Sequence, residues 1–198
     1  MNDTKTSTGK QSPQRTSRLI VRITLISLFA GLTAAGAFIA IPIGPVPIVL
    51  QNLFALLSGL ILGPVLGAAS VGLYLLAGIL NFPVFAGGTS GIVRFAGPTG
   101  GYLPGYLLAA ITAGAIAGRP RSNEKLFLPR LIAAVAAGFL VVYVPGLAWL
   151  KISRNLDWER ALTAGFIPFI IGDILKGIAA VLIAPRLRRI ASDNLDGK

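Results

Sequence analysis

The chain of 198 residues contains no cysteine and no histidine, and only seven of its residues are acidic. The absence of cysteine excludes disulfides and thiol catalysis, and the absence of both residue types removes the usual zinc ligands. No G-x-x-x-x-G-K-[ST] phosphate-binding loop is present, so ATP hydrolysis by that route is excluded. Paired acid–base catalysis lacks its second carboxylate, because the apolar segments contain only one, and a Ser-His-Asp triad lacks its histidine. The sequence therefore predicts a protein that is not an enzyme and that holds no metal or cofactor.

Long apolar runs dominate the rest of the sequence. Hydrophobic residues make up 54% of the chain and charged residues 13%, against about 25% charged in an ordinary soluble domain, and the mean hydropathy is +0.77. Uncharged runs of about 20 residues are long enough to cross a bilayer as helices. We predict an all-α integral membrane protein, a bundle of six transmembrane helices. They are placed at about 19–41, 47–62, 64–80, 101–118, 129–150 and 163–185, with Gly63-Pro64 separating the second from the third.

The distribution of basic residues orients this bundle. The formal net charge is +11, and most of the 18 lysines and arginines flank one side of the predicted helices. The positive-inside rule then puts both termini in the cytoplasm, with residues 1–18 as a basic tail, 19–190 as the transmembrane domain and 191–198 as a short tail. The first apolar run is too long for a signal peptide, so we expect a multi-pass protein of the cytoplasmic (inner) membrane. Nucleic acid is not an expected partner, because the charge is divided among helix ends.

Two connections are apolar but cannot be helical. Residues 41–47 read IPIGPVP, and residues 81–100 are rich in glycine and contain one charged side chain, Arg94. Non-helical backbone at membrane depth must be buried in protein or line a cavity, since lipid cannot satisfy its polar groups. Both connections are therefore predicted to be binding loops or gates.

Asp173 and Lys176 are the sharpest feature of the sequence, because they stand inside the sixth apolar run. Three positions apart, they share one helix face, and ionisable residues within a span usually face the bundle interior and serve a function. Lys176 would supply the cation for an anionic ligand group, and Asp173 would accept hydrogen bonds from N–H donors. Pro168 just upstream is expected to open the helix and leave a positive helix end nearby. The alternative is a structural ion pair that neutralises itself.

A second set of polar residues is predicted to line the same cavity. Gln51 is its best member, since burying an amide without a partner would cost a few kcal/mol. Tyrosines near the ends of spans, by contrast, are more often interfacial anchors than ligand contacts. The set comprises Gln51, Asn52, Tyr74, Asn81, Thr89, Arg94, Thr99, Tyr102 and Tyr143.

Small residues recur at four-residue spacing in the first helix, at Ala30 and Ala34. Such spacing permits the close approach of another helix within a membrane. Two interpretations stay open at this point. The pair either packs inside the bundle or forms a docking face for another membrane protein.

Four ordered motifs resemble the BioY family, the biotin-specific substrate-binding (S) components of energy-coupling factor (ECF) transporters. The resemblance covers essentially the whole chain from the first helix to the sixth. The motifs are GPVPIVLQ at 44–51, PVFAGG at 83–88, GPTGGYL at 97–103, and PF at 168–169 with GDILK at 172–176. Val49 and Asn81 depart from the family pattern, where threonine and an apolar turn are frequent, and Asn81 could simply cap the third helix.

The resemblance implies that the transmembrane domain captures biotin from outside. Transport would be energised by a separate module of one transmembrane coupling protein and two ABC ATPases, with the Ala30–Ala34 face against the coupling protein. The loops after helices 1 and 3 would close over the ligand. Asp173 and Lys176 would be the biotin-binding pair, with the ureido N–H groups on Asp173 and the carboxylate on Lys176. Arg94 could hold the carboxylate instead.

Two other classes of function stay open. A self-sufficient biotin transporter or facilitator, possibly a homo-oligomer in the lipid bilayer, would use the same site without ATP. A scaffold or a membrane enzyme would instead need Asp173 and Lys176 for stability alone.

Overall fold

A computed structural model describes residues 13–41, 46, 48–121 and 127–196 of the chain, and the fold is mostly helical. The elements follow in chain order: α1 (Pro13–Phe38), β1 (Ala40–Ile41), β2 (Ile48–Val49), α2 (Gln51–Ile79), α3 (Val93–Ala96), α4 (Tyr102–Ala117), α5 (Leu128–Ser153), α6 (Trp158–Gly165), a 3-10 turn (Ile167–Phe169) and α7 (Ile170–Asp196).

The range named α2 is a hairpin of two antiparallel arms, residues 51–62 and 64–79. Gly63 adopts φ +83°, a conformation that favours glycine, and Pro64 begins the second arm. The Ser58 hydroxyl donates to the carbonyl of Gly67 at 3.3 Å, whereas nine residues of continuous helix would separate them by about 13 Å. The chain therefore reverses at Gly63, and the predicted break between the second and third helices is confirmed.

Glycines set the contact between this hairpin and α4. A Cβ on Gly59 would lie 2.0 Å from the carbonyl oxygen of Ala110, and one on Gly114 would lie 2.6 Å from Pro64. Side chains at these positions would push the helices apart, since small residues are what permits close packing inside a membrane. The hairpin and α4 thus form the compact centre of the bundle.

The ends of the first and sixth predicted helices differ from expectation. α1 begins at Pro13 and ends at Phe38, and the residues after it form a short antiparallel pair, with Ala40 opposite Val49 and Ile41 opposite Ile48. Residues 42–45 and 47 of the first predicted loop lie outside the described residues, as do 1–12 and 197–198 of the tails. The predicted sixth helix is interrupted near Pro168 by the 3-10 turn, as expected, and α7 continues to Asp196.

Four ranges in the described part of the chain are long and apolar enough to cross a membrane. They are Arg15–Phe38, Gln51–Ile79, Leu128–Ser153 and Trp158–Leu195, and Tyr102–Ala117 is a shorter apolar helix. Large apolar side chains such as Leu19, Val144 and Leu182 point outward and are more than half exposed. An apolar exterior of this kind is typical of a surface that faces lipid.

Candidate ligand-binding site

The site is centred on Asp173 and Lys176 of α7. The 3-10 turn sets the start of α7, so Asp173 falls in its first turn, where the positive end of the helix dipole favours a carboxylate. Both side chains point into the bundle, with 9% of Asp173 and 7% of Lys176 exposed. Lys176 Nζ lies 3.0 Å from Asp173 Oδ1. The predicted pair on one helix face is therefore present and buried.

Asn52 of α2 and Tyr143 of α5 complete this cluster. The Asn52 amide nitrogen donates to Asp173 Oδ1 at 3.0 Å, and its oxygen accepts from Lys176 Nζ at 3.0 Å. The Tyr143 hydroxyl donates to Asp173 Oδ2. The four residues, named here the Asp–Lys cluster, join three helices, and their formal charges sum to zero.

One small cavity of about 30 Å³ adjoins the cluster, and a second of the same volume shares some of its walls. Lys176, Asn52 and Tyr143 line the first, which we name the cluster-side cavity. Arg94 and Gln51 line the second, the arginine-side cavity. The two share four walls: Val46, Val49, Tyr102 and Tyr106. Arg94 and the Asp–Lys cluster thus lie on opposite sides of these shared apolar and aromatic walls, and the two cavities with their shared walls are named here the passage.

Arg94 is held by the loop that carries it. Its Nε donates to the Thr89 hydroxyl at 2.5 Å, and its Nη2 donates to the carbonyl of Ala86 at 3.2 Å. Both acceptors are neutral, so the positive charge of Arg94 is not compensated by a carboxylate within these contacts. The guanidinium is therefore suited to an anionic ligand group.

The other predicted site residues occupy the same passage in different ways. Gln51, 1% exposed, donates its amide to the Tyr74 hydroxyl and lines the arginine-side cavity beside Thr99. The Tyr102 ring lines both cavities, but its hydroxyl donates to the carbonyl of Gly165 at 2.8 Å. Tyr102 therefore presents its ring to a ligand, because the hydroxyl proton is used between α4 and the end of α6.

Asn81 stands apart from the other predicted site residues. It is exposed, lines neither cavity, and follows α2 with φ +69°. Its N–H donates to the carbonyl of Gly78 at 3.2 Å, and the N–H of Phe82 donates to Ala77 at 3.1 Å. This geometry closes the C-terminus of a helix, so Asn81 caps α2 rather than lining the passage.

The small residues of α1 divide between the interior and the exterior of the bundle. Ala30 is 7% exposed and packs in the core of the bundle, and Ala34 is partly buried against the same core. Gly31 and Ala35 are exposed instead, with open space around Gly31. The pair named from the sequence thus packs inside the chain, and the outward small pair lies one residue further along.

Sequence reasoning missed Tyr106, which lines both cavities and is 7% exposed. It also ranked Asn52 below Gln51, although Asn52 is the residue that contacts both charged groups. The signal for Tyr106 was available, because it follows Tyr102 by four positions and so shares its helix face. The role of Asn52 depends on the rotation of α2, which the sequence does not specify.

A larger groove of about 540 Å³ runs between α5 and α7, on the outside of the bundle. Its walls are apolar, and Tyr143 and Asp173 are the polar residues among those that line it. Leu140, Ile174 and Leu182 on its rim are each more than half exposed. The groove therefore belongs to the apolar exterior, and the two smaller cavities hold most of the polar groups suited to a ligand.

Fold and site together define a helical membrane protein that encloses a charged but self-neutral site between apolar walls, the arrangement of a small-molecule binding protein. A model of the BioY family matches residues 6–193. The chain belongs to the BioY family.

Several known proteins match this chain over most of their length. A probable biotin transporter BioY of Pyrococcus horikoshii is 42% identical over 84% of this chain and 95% of its own. The biotin transporter BioY of Thermotoga maritima is 37% identical over 82% and 93%. A crystal structure of the S-component for biotin from an ECF-type ABC transporter covers 90% of this chain and 95% of its own, with a TM-score of 0.78 and 30% identity.

Proposed function

We propose that this chain is the biotin-binding S component of an ECF-type transporter and serves biotin uptake across the cytoplasmic membrane. The observation that carries the proposal is the passage with the Asp–Lys cluster on one side and Arg94 on the other. Membership of the BioY family and the names of its relatives support the choice of biotin as the ligand.

The Asp–Lys cluster suits the ureido ring of biotin. A ureido group is neutral and presents two N–H donors beside one carbonyl acceptor. Lys176 lines the cluster-side cavity and would donate to the carbonyl. Asp173 Oδ1 lies 3.0 Å from Lys176 Nζ but lines the outer groove, so its carboxylate oxygens would reach the ureido donors once the cavity widens. A neutral ligand group leaves the charge balance of this buried site unchanged, which avoids the cost of burying an unpaired charge.

Arg94 is the better partner for the biotin carboxylate. The sequence suggested Lys176, but Asp173 already compensates that ammonium group. Arg94 donates only to neutral acceptors in its recorded contacts, and a guanidinium matches a carboxylate with two parallel hydrogen bonds. The aromatic and aliphatic walls shared by the two cavities would then enclose the ring and tail of biotin.

Binding requires the passage to widen. The two cavities measure about 30 Å³ each, whereas small-molecule sites usually measure about 300–1,000 Å³. The segment 81–100 carries both Arg94 and Thr99, so its outward displacement would enlarge the arginine-side cavity first. We therefore propose that this loop is the gate of the site.

In the membrane, we propose six spans with both termini cytoplasmic. The helices α1, α4, α5 and α7 supply four spans, and the two antiparallel arms of α2 supply the other two. An even number of spans returns the chain to its starting side, where Arg22, Arg119 and Arg186 satisfy the positive-inside rule. Arg94 then stands on the outer side, from which the ligand arrives.

The energising module is proposed to contact α1 through Gly31 and Ala35. These small exposed residues, four positions apart, permit another helix to approach closely. We expect Ala35→Trp to abolish biotin uptake in cells that contain the coupling protein and both ATPases, while the purified variant still binds biotin. Leu19→Trp, an exposed position on a different face of the same helix, is the matched control. Unchanged uptake by Ala35→Trp would contradict this interface.

The direct test of function is equilibrium binding of labelled biotin to the purified protein, followed by uptake with and without the module. Wild type should bind biotin tightly, and Asp173→Asn should lose affinity. Because Asp173→Asn leaves the buried Lys176 ammonium without its anion, its thermal unfolding midpoint should fall, and the midpoint is measured to show that the variant is still folded at the temperature of the binding assay. Uptake without any coupling protein or ATPase would instead favour a self-sufficient transporter. Absence of binding by a folded wild-type protein would refute the assignment of biotin.

A further inference from the structure

A separate cavity lies at the far end of the bundle from Arg94, where α1 begins and α7 ends. It measures about 290 Å³, and Arg22 of α1 and Arg119 of the segment after α4 contribute its charged groups. Its apolar walls come from the turn of the α2 hairpin and two neighbouring segments: Leu62, Pro64, Val65, Leu66, Pro120 and Leu195. None of these residues lines the passage of the ligand-binding site.

The hairpin turn fixes the position of Arg119. A Cβ on Gly63 would lie 3.5 Å from the Cα and 3.6 Å from the Cγ of Arg119, so the arginine stem rests on the turn. Gly118 before it adopts φ +78°, which turns the chain at the end of α4. Arg119 is therefore directed beside the cavity by two tight turns.

Two other arginines at this end are used by the fold. Arg188, 5% exposed, donates to the carbonyls of Leu60, Ala117 and Gly118, which lie at the ends of the first α2 arm and α4. Arg130 donates to the carbonyl of Ile116 at 2.6 Å. Together they satisfy carbonyl groups that the helix ends leave without partners.

Arg22 and Arg119 have no such role. Both are exposed, and no hydrogen bond or ion pair to another described residue is found for either guanidinium. The described residues of the same chain segments include three more arginines, Arg121, Arg186 and Arg189, and one carboxylate, Asp193. Within the described part of the chain, the cavity therefore combines an apolar wall with two cations that form no ion pair.

We propose that this cavity binds the phosphodiester headgroup of an anionic lipid. The two guanidinium groups would hold the phosphate, which they match in charge and geometry, and the apolar walls would take the glycerol and upper acyl carbons. Free phosphate would use the arginines but leave the walls exposed, so a lipid is the occupant favoured. The proposal depends on the proposed orientation only in assigning this lipid to the cytoplasmic leaflet.

The test is native mass spectrometry of the purified protein with phosphatidylglycerol, using phosphatidylcholine and inorganic phosphate as separate arms. We expect saturable binding of phosphatidylglycerol that Arg22→Gln with Arg119→Gln weakens about 30-fold, since each arginine near a membrane surface contributes about a fivefold change in affinity. Arg121→Gln is the matched control, because Arg121 is exposed in the same segment but does not line the cavity. It should change the affinity less than threefold.

Three results would overturn the proposal. Equal affinity for both lipids would contradict a role of headgroup charge. Equal affinity for inorganic phosphate and phosphatidylglycerol would contradict a role of the apolar walls. Loss of transport in the double variant with unchanged lipid binding would point to an acidic protein segment instead. Retained biotin binding by each variant shows that it is folded, since neither arginine lies near that site.

Discussion

Arg94→Gln tests the orientation of biotin in the passage. The substitution keeps a polar side chain that can still donate to Ala86 or Thr89, but it removes the positive charge. A hydrogen bond to a charged group contributes about 1.5–3 kcal/mol. The affinity for biotin should therefore fall about 10- to 150-fold. Arg154→Gln, an exposed arginine at the end of α5 that lines neither cavity, should change it little.

The informative comparison is with biotin methyl ester, whose carboxylate is neutral. Wild type should bind the ester more weakly than biotin by the same factor, and Arg94→Gln should then bind ester and biotin almost equally. Lys176→Met acts differently, because it leaves the Asp173 carboxylate buried without its cation. This change should lower the free energy of unfolding by about 3–5 kcal/mol. It should weaken binding of both ligands in parallel. Isothermal titration of wild type, Arg94→Gln and Lys176→Met with biotin and with its methyl ester gives the coupling energy between each side chain and the ligand carboxylate directly.

The reversed orientation makes the opposite prediction. If Lys176→Met impairs biotin far more than the ester, while Arg94→Gln impairs both equally, the carboxylate lies on Lys176 and the reasoning from charge compensation is refuted. Thermal unfolding of each variant separates a lost contact from a lost fold. A variant whose midpoint falls by more than about 10 °C is replaced by Arg94→Met or Lys176→Gln, which remove the same charge with a different neutral side chain.

Two further predictions concern stability. Tyr74→Phe leaves the fully buried Gln51 amide without its acceptor, which should cost about 1–3 kcal/mol and lower the unfolding midpoint; an unchanged midpoint would contradict the hydrogen bond. Gly59→Ala places a Cβ about 2.0 Å from a carbonyl of α4 and should destabilise by about 1–3 kcal/mol or more. Its control, Gly72→Ala, meets open space and should be neutral or slightly stabilising.

The sequence predicts the parts of this molecule that depend on local patterns. Gly63-Pro64 can be interpreted as a break because both residues oppose a continuous helix, and the structure has a reversal there. Asp173 and Lys176 share a face by spacing alone, and their cost in an apolar span requires an interior position. In each case the physical constraint is contained in a few neighbouring residues.

The remaining features depend on the rotation of one helix against another. Rotation of α1 buries Ala30 and exposes Ala35, although both are small residues in the same apolar run. Similarly, Gln51 and Asn52 are adjacent amides, and only the rotation of α2 directs Asn52 to the charged pair and Gln51 to Tyr74. Adjacent residues of a helix point about 100° apart around its axis, and this difference decides which of the two is directed to the site. Sequence patterns of small or polar residues do not specify the rotation of the helix.

The division of charge along the passage links stability to function. Asp173 and Lys176 compensate each other, with Asn52 contacting both, so a neutral ligand group leaves the charge of the interior balanced. Arg94 donates to neutral acceptors and lies on the loop that we propose as the gate. A carboxylate arriving from outside would therefore meet Arg94 first, and its binding would draw the loop over the passage. Selection of an anionic ligand and closure of the site would follow from the same contact.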